Sequence, residues 1–91
     1  YKRQTKVAAL ENAPRGIRIN SVCPGIIRTP MIDRFVSLSS YHDEESIVSR
    51  EPVGRMGNPE EVAEAVVWLC SDSASFVTGH NMTVDGGFVA Q

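Results

Sequence analysis

The most informative segment of the chain runs from Asn20 to Met31 and reads NSVCPGIIRTPM. An apolar run that begins at Ile17 stops at Pro24 and Gly25, which is typical of a buried strand that ends in a turn. In an open α/β sheet, ligands bind beyond the carboxyl ends of the strands. Pro24 lacks an amide donor, and Gly25 lets another molecule approach the backbone closely. Taken alone, the segment fits either a ligand-facing loop or an ordinary strand-to-loop turn.

Composition and charge favour a small globular protein. The 91 residues are 42% hydrophobic and 22% charged, with nine basic and eleven acidic residues and a formal net charge of −2. The basic cluster of Lys2, Arg3 and Lys6 has no interleaved aromatic residues, so we expect no nucleic-acid partner. No apolar run approaches the ~18 residues of a membrane span. We therefore expect no membrane association and a cytoplasmic location.

The two cysteines are predicted to be buried free thiols. Cys23 and Cys70 are far apart in the sequence, and each lies among apolar residues. Because they show no Cys-x-x-Cys spacing and no nearby histidine pair, we expect no metal site.

The apolar pattern predicts a helix, a strand, a polar segment, a second helix and a second strand. These elements cover residues 2–12, 17–23, 30–53, 58–71 and 80–84. Such an order is that of a crossover unit. We do not expect the two strands to pair with each other without further strands, and their edges would then be exposed.

The second helix has the strongest start signal. Asn58 is a favourable N-cap, Pro59 fits the first helical position, and Glu61 falls at the third position of a capping box. Glu60 and Glu61 also place negative charge near the positive end of the helix dipole.

Six blocks of the sequence resemble the short-chain dehydrogenase/reductase family, in the family's order. They are Ala8-Ala9-Leu10-Glu11, Arg15-Gly16-Ile17-Arg18-Ile19-Asn20, Pro24-Gly25-x-Ile27-x-Thr29-x-Met31, Gly54-Arg55-x-Gly57-x-Pro59-Glu60-Glu61-Val62-Ala63, Ala74-Ser75-Phe76-Val77-Thr78-Gly79 and Val84-Asp85-Gly86-Gly87. The blocks match the C-terminal portion of the family only. The resemblance implies an α/β fold: the C-terminal part of a doubly wound, Rossmann-type parallel sheet that is incomplete on its own.

The resemblance also implies a division of this single domain. Its parts are the end of a long helix (1–16), a strand with a cofactor-facing turn (17–29), a substrate loop (30–57), a helix (58–72) and a final turn and strand (73–91). From composition alone, the polar segment fits either a lid or a surface excursion with one short helix.

Four residues would face the cofactor by resemblance. Pro24, Gly25, Ile27 and Thr29 would lie against the nicotinamide end of NAD or NADP. Ile27 would supply apolar surface or a backbone contact to the carboxamide, and Thr29 would supply a hydroxyl. The sequence does not distinguish NAD from NADP.

Two residues of the polar segment, Met31 and Phe35, would line the substrate side by resemblance. His42 lies in the same segment and is expected to be an exposed loop histidine without a role.

No catalytic residue is placed in this chain. In the family, a tyrosine is followed four residues later by a lysine on the same helix face, and the pair serves proton transfer. Thr5 stands four residues after Tyr1, so Tyr1 does not match. Gly86 and Gly87 follow a strand instead of opening a helix, so they cannot cradle a pyrophosphate.

Four other residues receive structural interpretations. Asn20 is expected to be a structural hydrogen-bonding residue at the strand end and not a catalytic residue, and His80 is expected to pack or to meet solvent. Trp68 is expected to anchor a core or a subunit interface. Asp85 would either cap a turn or meet a neighbouring subunit.

Two functions stay open. The first is that of a C-terminal segment of a NAD(P)-dependent oxidoreductase, which interconverts a hydroxyl and a carbonyl group of a small-molecule substrate and forms a homo-oligomer. The second is that of a non-catalytic fragment that serves as an oligomerisation or interaction module through the helices near 2–12 and 58–71.

Overall fold

The structure, a computed structural model, describes residues 2–38 and 44–91, so that Tyr1 and His42 lie outside the described residues. Its elements are α1 (Lys2–Asn12), β1 (Ser21–Pro24), α2 (Pro30–Leu38), α3 (Glu44–Val48), α4 (Pro59–Cys70) and β2 (Asn81–Val84). Three short 3₁₀ helices follow α1, α4 and β2. Both predicted long helices and the second predicted strand are confirmed, whereas the first strand begins later than predicted.

The two strands form a parallel pair, which contradicts the expectation that they would not be neighbours. Ser21 lies opposite Asn81, and Pro24 lies opposite Val84. Helix α4 packs on both strands and carries the chain from one to the other. The pairing is possible because this crossover returns the chain to the start of β1, where the Ser21 amide donates to the His80 carbonyl at 2.9 Å.

Side chains replace the strand ladder just before β1. The Asn20 side-chain amide donates to the Val77 carbonyl at 3.0 Å, and its oxygen accepts the His80 amide at 2.9 Å. The Arg18 guanidinium donates to the Val77 carbonyl at 3.1 Å and to the Ser71 carbonyl at 3.2 Å. One backbone bond, from the Gly79 amide to the Ile19 carbonyl at 2.8 Å, accompanies these side-chain bonds, and the regular strand begins only at Ser21. The structural interpretation of Asn20 is confirmed.

Helix α4 begins as the sequence predicts. The Asn58 amide donates to the Glu61 carboxylate at 2.9 Å, which is the reciprocal half of a capping box. Pro59 occupies the first turn of the helix, where no intrahelical amide bond is lost.

The described parts of the polar segment, residues 30–38 and 44–53, contain two helices, where the sequence allowed for one short helix. Helix α2 begins after Thr29, whose hydroxyl oxygen accepts the Ile32 amide at 3.3 Å. The Arg28 guanidinium pairs with Asp33 of α2 and with Glu44 of α3. These bonds tie both helices to the turn that follows β1.

The core of the described residues is thin. Its buried apolar side chains are Ala9, Met56, Leu69 and Ala74. Cys70 is exposed and Cys23 is half-buried, so the prediction of two buried thiols is wrong. The exposure of Cys70 has a geometric reason, since Cys70 lines an open groove together with residues of α4 and with Val22 of β1. Within residues 2–38 and 44–91, no helix has the length and apolar character needed to cross a bilayer.

Replacement of Asn20 by alanine should destabilise the protein. Asn20→Ala removes two hydrogen bonds that hold residues 77–80 beside β1, so we expect the free energy of unfolding to fall by about 1–3 kcal/mol. Urea denaturation measures this change. Gln4→Ala, on the exposed face of α1, is the control and should change stability by less than about 0.5 kcal/mol. Equal unfolding midpoints for the two variants would contradict the prediction.

Candidate functional site

Three backbone segments meet at the carboxyl edge of the parallel pair. The first is the turn after β1, residues 25–29, and the second is the turn after β2, residues 85–87. The third, residues 51–57, runs between α3 and α4. The Gly25 amide donates to the Val84 carbonyl at 2.9 Å, which brings the first two segments together. Parallel pairing therefore places both turns on one side of the sheet, where ligands bind in α/β folds.

Gly25 is required because the chain itself fills the space beside it. A Cβ atom on Gly25 would lie 2.8 Å from the Asp85 Cα and 3.2 Å from the Glu51 Oε1. The sequence predicted close approach by another molecule at this glycine, whereas the structure shows close approach by Asp85. Any side chain larger than hydrogen would push the two turns apart.

Residues 26–28 are held by a short parallel bridge to Gly57. The Gly57 amide donates to the Ile26 carbonyl at 2.9 Å, and the Arg28 amide donates to the Gly57 carbonyl at 2.8 Å. Ile27 lies at the centre of this bridge. Its backbone orientation is thus set by the segment that leads into α4.

Two cavities flank the turn after β1. One has a volume of about 200 Å³, and its lining includes Ile27, Val84, Arg55 and Glu61. The other has a volume of about 320 Å³ and is lined by Pro24, Gly25, Ile26, Ile47, Arg50, Glu51 and Phe88. The structure therefore brings Pro24, Gly25 and Ile27 around one turn but divides them between two cavities.

The other predicted site residues lie on or beside α2. Thr29 is half-buried, and its hydroxyl oxygen accepts the Ile32 amide, so Thr29 caps the helix. Met31 is 75% exposed and Phe35 is 46% exposed. Neither lines the two cavities beside the turn. Met31 and Phe35 thus lie on α2 next to the site, with Met31 the more exposed of the two.

Asp85 caps the turn after β2, which confirms one of its two interpretations. Its carboxylate accepts the Gly87 amide at 3.0 Å and the Val89 amide at 3.1 Å. Both of its oxygens are therefore engaged within the chain.

Glu51 is the site residue that sequence reasoning missed. Its side chain is only 6% exposed, and its Oε1 accepts the Ile26 amide at 3.3 Å. A glutamate between Arg50 and Pro52 in a polar segment carries no pattern that predicts burial. The only indirect signal is Pro52, since proline keeps the preceding residue out of the helical region and ends α3 near Glu51.

Arg55 and Glu61 form an ion pair beside the smaller cavity. The guanidinium donates to both carboxylate oxygens, at 2.9 and 3.0 Å. This hydrogen bonding, together with the Asn58 amide, lowers the pKa of Glu61 from 4.5 to about 2. The same pair raises the pKa of Arg55. Both groups therefore stay charged across the physiological pH range.

The chain matches known oxidoreductases over nearly its whole length. A sequence profile of the family described as enoyl-(acyl carrier protein) reductase matches residues 2–89. Cyclohexanol dehydrogenase of Acinetobacter sp. (strain SE19) is 52% identical over 87 residues, which cover 96% of this chain and 32% of that protein. The 3-oxoacyl-[acyl-carrier-protein] reductase FabG of Thermotoga maritima is 46% identical over 85 residues, which cover 93% of this chain and 33% of that protein. The chain spans about a third of the length of these curated relatives.

Solved structures also match nearly the whole chain. The structure of ElxO with NADP bound superposes with a TM-score of 0.90 at 37% identity, over 99% of this chain and 36% of that chain. A short chain dehydrogenase family protein from Francisella tularensis subsp. tularensis SCHU S4 gives a TM-score of 0.87 at 34% identity. The superposition covers 99% of this chain and 40% of that chain. The fold is thus a partial Rossmann-type α/β fold, as the sequence predicts.

The contribution of Glu61 to stability should depend on pH. Because its pKa falls from 4.5 to about 2 on folding, ionised Glu61 stabilises the fold above pH 4.5, and this stabilisation is lost as the pH falls towards 2. We expect the difference in thermal midpoint between wild type and Glu61→Gln to be largest near neutral pH and to vanish near pH 2. Thermal unfolding monitored by circular dichroism at several pH values measures it.

Glu60→Gln is the control for this experiment, since Glu60 lies in the same helical turn but in no ion pair among the described residues. Its effect should stay small and nearly constant with pH. A Glu61→Gln effect that does not change between pH 7 and pH 2 would refute the linkage.

Proposed function

Because this chain belongs to the short-chain dehydrogenase/reductase family, we propose that it is the C-terminal segment of a longer NAD(P)-dependent oxidoreductase. The enzyme interconverts a hydroxyl and a carbonyl group of a small molecule by hydride transfer. The observation that carries this proposal is the superposition of 99% of the chain on 36% of an NADP-bound structure. The turn after β1 lies at the carboxyl edge of the sheet in that superposable part.

The proposed role of the segment is to form one wall of the cofactor site and to carry the substrate loop. Residues 17–29 supply the strand and the cofactor-facing turn, and residues 30–57 supply the loop over the substrate. The proposed wall consists of Pro24, Gly25, Ile27 and Thr29, of which Pro24 and Gly25 line the larger cavity and Ile27 lines the smaller one. Residues 1–16, 58–72 and 73–91 support it as helix, helix and final strand.

The side chains of the wall suit a flat, weakly polar ring. Ile27 and Val84 offer apolar surface in one cavity, and Pro24, Ile26 and Phe88 offer it in the other. Charged residues also line both cavities, Glu51, Arg55, Glu61 and Asp85 the smaller one and Arg50 and Glu51 the larger one. Ligand sites typically combine apolar walls with a few polar groups that fix the orientation of the ligand. When bound, the nicotinamide ring donates or accepts the hydride. The protein's own part is to orient the ring and to exclude water from it.

The polar contribution of this segment is the Thr29 hydroxyl. Its oxygen accepts the Ile32 amide, so its hydrogen is available to an acceptor such as a carboxamide oxygen. Met31 and Phe35 extend the apolar surface from the turn along α2, where a substrate would meet it.

Proton transfer must come from residues outside this segment. The sequence contains no tyrosine with a lysine four residues later, and it has no glycine-rich loop before a helix. We therefore propose that the tyrosine, the lysine and the phosphate-binding loop lie earlier in the longer polypeptide. The choice between NAD and NADP lies there as well.

Nicotinamide turnover tests this proposal. The native polypeptide should have a mass well above the 10.0 kDa of residues 1–91, and it should oxidise or reduce NAD(P)(H) with a panel of cyclic secondary alcohols and ketones. Residues 1–91 alone should show no turnover. A native polypeptide without turnover, or clear turnover by residues 1–91, would overturn the proposal.

A charged residue on the wall should weaken cofactor binding. Ile27→Asp buries a carboxylate against the ring. We therefore expect the dissociation constant for NADPH or NADH to rise at least about tenfold. The change in fluorescence of the reduced nicotinamide on binding measures this dissociation constant. Ile17→Asp is the matched control, because Ile17 is 48% exposed and lies before β1, away from the turn. Equal affinities of the two variants for the cofactor would contradict the proposal that Ile27 contacts the nicotinamide ring.

A second candidate function is favoured by exposed apolar surface on the outer side of β2. The side chain of Phe76 is fully exposed, and Trp68 is 42% exposed. Together with Met82 they line one open groove. Such surface marks interaction sites, and it supports a homo-oligomer or a non-catalytic interaction module.

Sedimentation tests this second candidate. If the face around Phe76 mediates self-association, analytical ultracentrifugation should show a multimer for wild type and a shift to monomer for Phe76→Glu. Val89→Glu is the control, since Val89 is 62% exposed but lies after β2. A wild-type monomer at all concentrations would exclude the oligomer, whatever the outcome of the turnover assay.

A further inference from the structure

Glu51 has the most unusual environment of any charged residue that the structure describes. Its side chain is 6% exposed, and among the described residues its Oε1 accepts one hydrogen bond while its Oε2 is buried without a partner. Carboxylates are rarely buried unless paired. Glu51 therefore needs an explanation beyond surface solubility.

The Glu51 side chain lies between the two turns at the carboxyl edge of the sheet. A Cβ atom on Gly25 would be 3.2 Å from its Oε1, and a Cβ atom on Gly86 would be 3.4 Å from its Oε2. Glu51 also lines both cavities that flank the turn after β1. One carboxylate thus reaches both turns and both cavities.

The backbone around Glu51 is fixed from several directions. The Glu51 amide donates to the Val48 carbonyl at 2.9 Å, and the Gly54 amide donates to the Glu51 carbonyl at 2.8 Å. The Val53 amide donates to the Gly86 carbonyl at 3.2 Å. Because the backbone is held at α3, within its own turn and at the turn after β2, the position of the carboxylate is well defined.

Both polar groups of Ile26 are bound by this segment. Glu51 accepts the Ile26 amide, and the Gly57 amide donates to the Ile26 carbonyl at 2.9 Å. The two peptide planes on either side of Ile26 are therefore set by residues 51–57. The direction in which the next residue, Ile27, faces depends on both bonds.

Burial alone does not account for a polar side chain at this position. Burying a carboxylate with a single hydrogen bond is costly, and what the side chain supplies in return is an acceptor for the Ile26 amide. The geometry points instead to a role in holding the turn.

We propose that Glu51 is a positioning residue, whose carboxylate holds the Ile26 amide and thereby orients Ile27 in the wall of the cofactor site. This inference rests on the proposed function, since it assigns Glu51 to the same site. It also links the substrate loop to the wall, because the backbone of Glu51 is bonded to the last residue of α3.

Three variants of the native polypeptide test this role. Glu51→Met keeps the length of the side chain but cannot accept the Ile26 amide bond. We expect it to weaken NADPH or NADH binding about tenfold, as loss of a buried hydrogen-bond acceptor does. Glu51→Gln retains the acceptor and should bind within about threefold of wild type. Glu64→Leu, on the exposed face of α4, is the control for a lost surface charge and should bind as wild type does.

The readout separates positioning from folding. Affinity is measured by nicotinamide fluorescence per folded molecule, with thermal midpoints recorded for each variant. A purely structural role would lower the thermal midpoint of Glu51→Met and leave the affinity of its folded fraction unchanged, which would overturn the proposal. If Glu51→Met does not fold, Glu51→Asp replaces it, because the shortened carboxylate should miss the Ile26 amide and lose affinity to a similar degree.

The outcomes distinguish this inference from the proposed function. If wild type binds neither NADPH nor NADH, the proposed function fails. If wild type binds and Glu51→Met or Glu51→Asp binds equally well, only the role of Glu51 fails. If Glu51→Gln binds NADPH or NADH as weakly as Glu51→Met does, the positioning role is also contradicted, because the amide oxygen would then not replace the carboxylate as acceptor.

Discussion

The parallel pairing of β1 with β2 is the constraint on which the rest of this structure depends. It joins residues that are 60 positions apart, such as Ser21 and Asn81. Because parallel strands end on the same edge, the pairing also brings the turn after β1 against the turn after β2. Gly25 and Asp85 can touch only because of this register. Without the pairing, the cavities beside the turn would not exist.

Helix α4 and the loop before it make that pairing possible. Leu69 is the buried residue of α4. The ion pair between Arg55 and Glu61 and the capping bond at Asn58 hold the first turn of the helix. Residues 51–57 then bind the turn after β1 from the other side. The site is therefore built by one crossover unit with few buried apolar residues. Such a thin core agrees with a chain that spans about a third of its curated relatives.

Local patterns predicted the elements that depend on neighbouring residues. The start of α4 was readable because capping needs only Asn58, Pro59 and Glu61 in sequence. The segment at 80–84 was predicted as a short strand because glycines lie on both sides of it, at Gly79 and at Gly86 and Gly87. Pro24 and Gly25 indicated a turn, because both residues interrupt a strand. The order of the six family blocks indicated the fold of the chain. The two helices described between residues 30 and 48 were not predicted in full, since α2 begins at a threonine cap and its sequence shows no clear helical period.

The sequence by itself determined the family, the α/β class and the place of α4, because those signals lie in short runs of adjacent residues. Only the tertiary structure decided that β1 and β2 pair, that Cys70 is exposed and that Glu51 is buried. Each of these depends on which distant segments meet, and one-dimensional patterns do not encode that. The environment of Glu51 is the clearest case, since the bond to Ile26 joins residues 25 positions apart through a fold that the polar segment does not reveal.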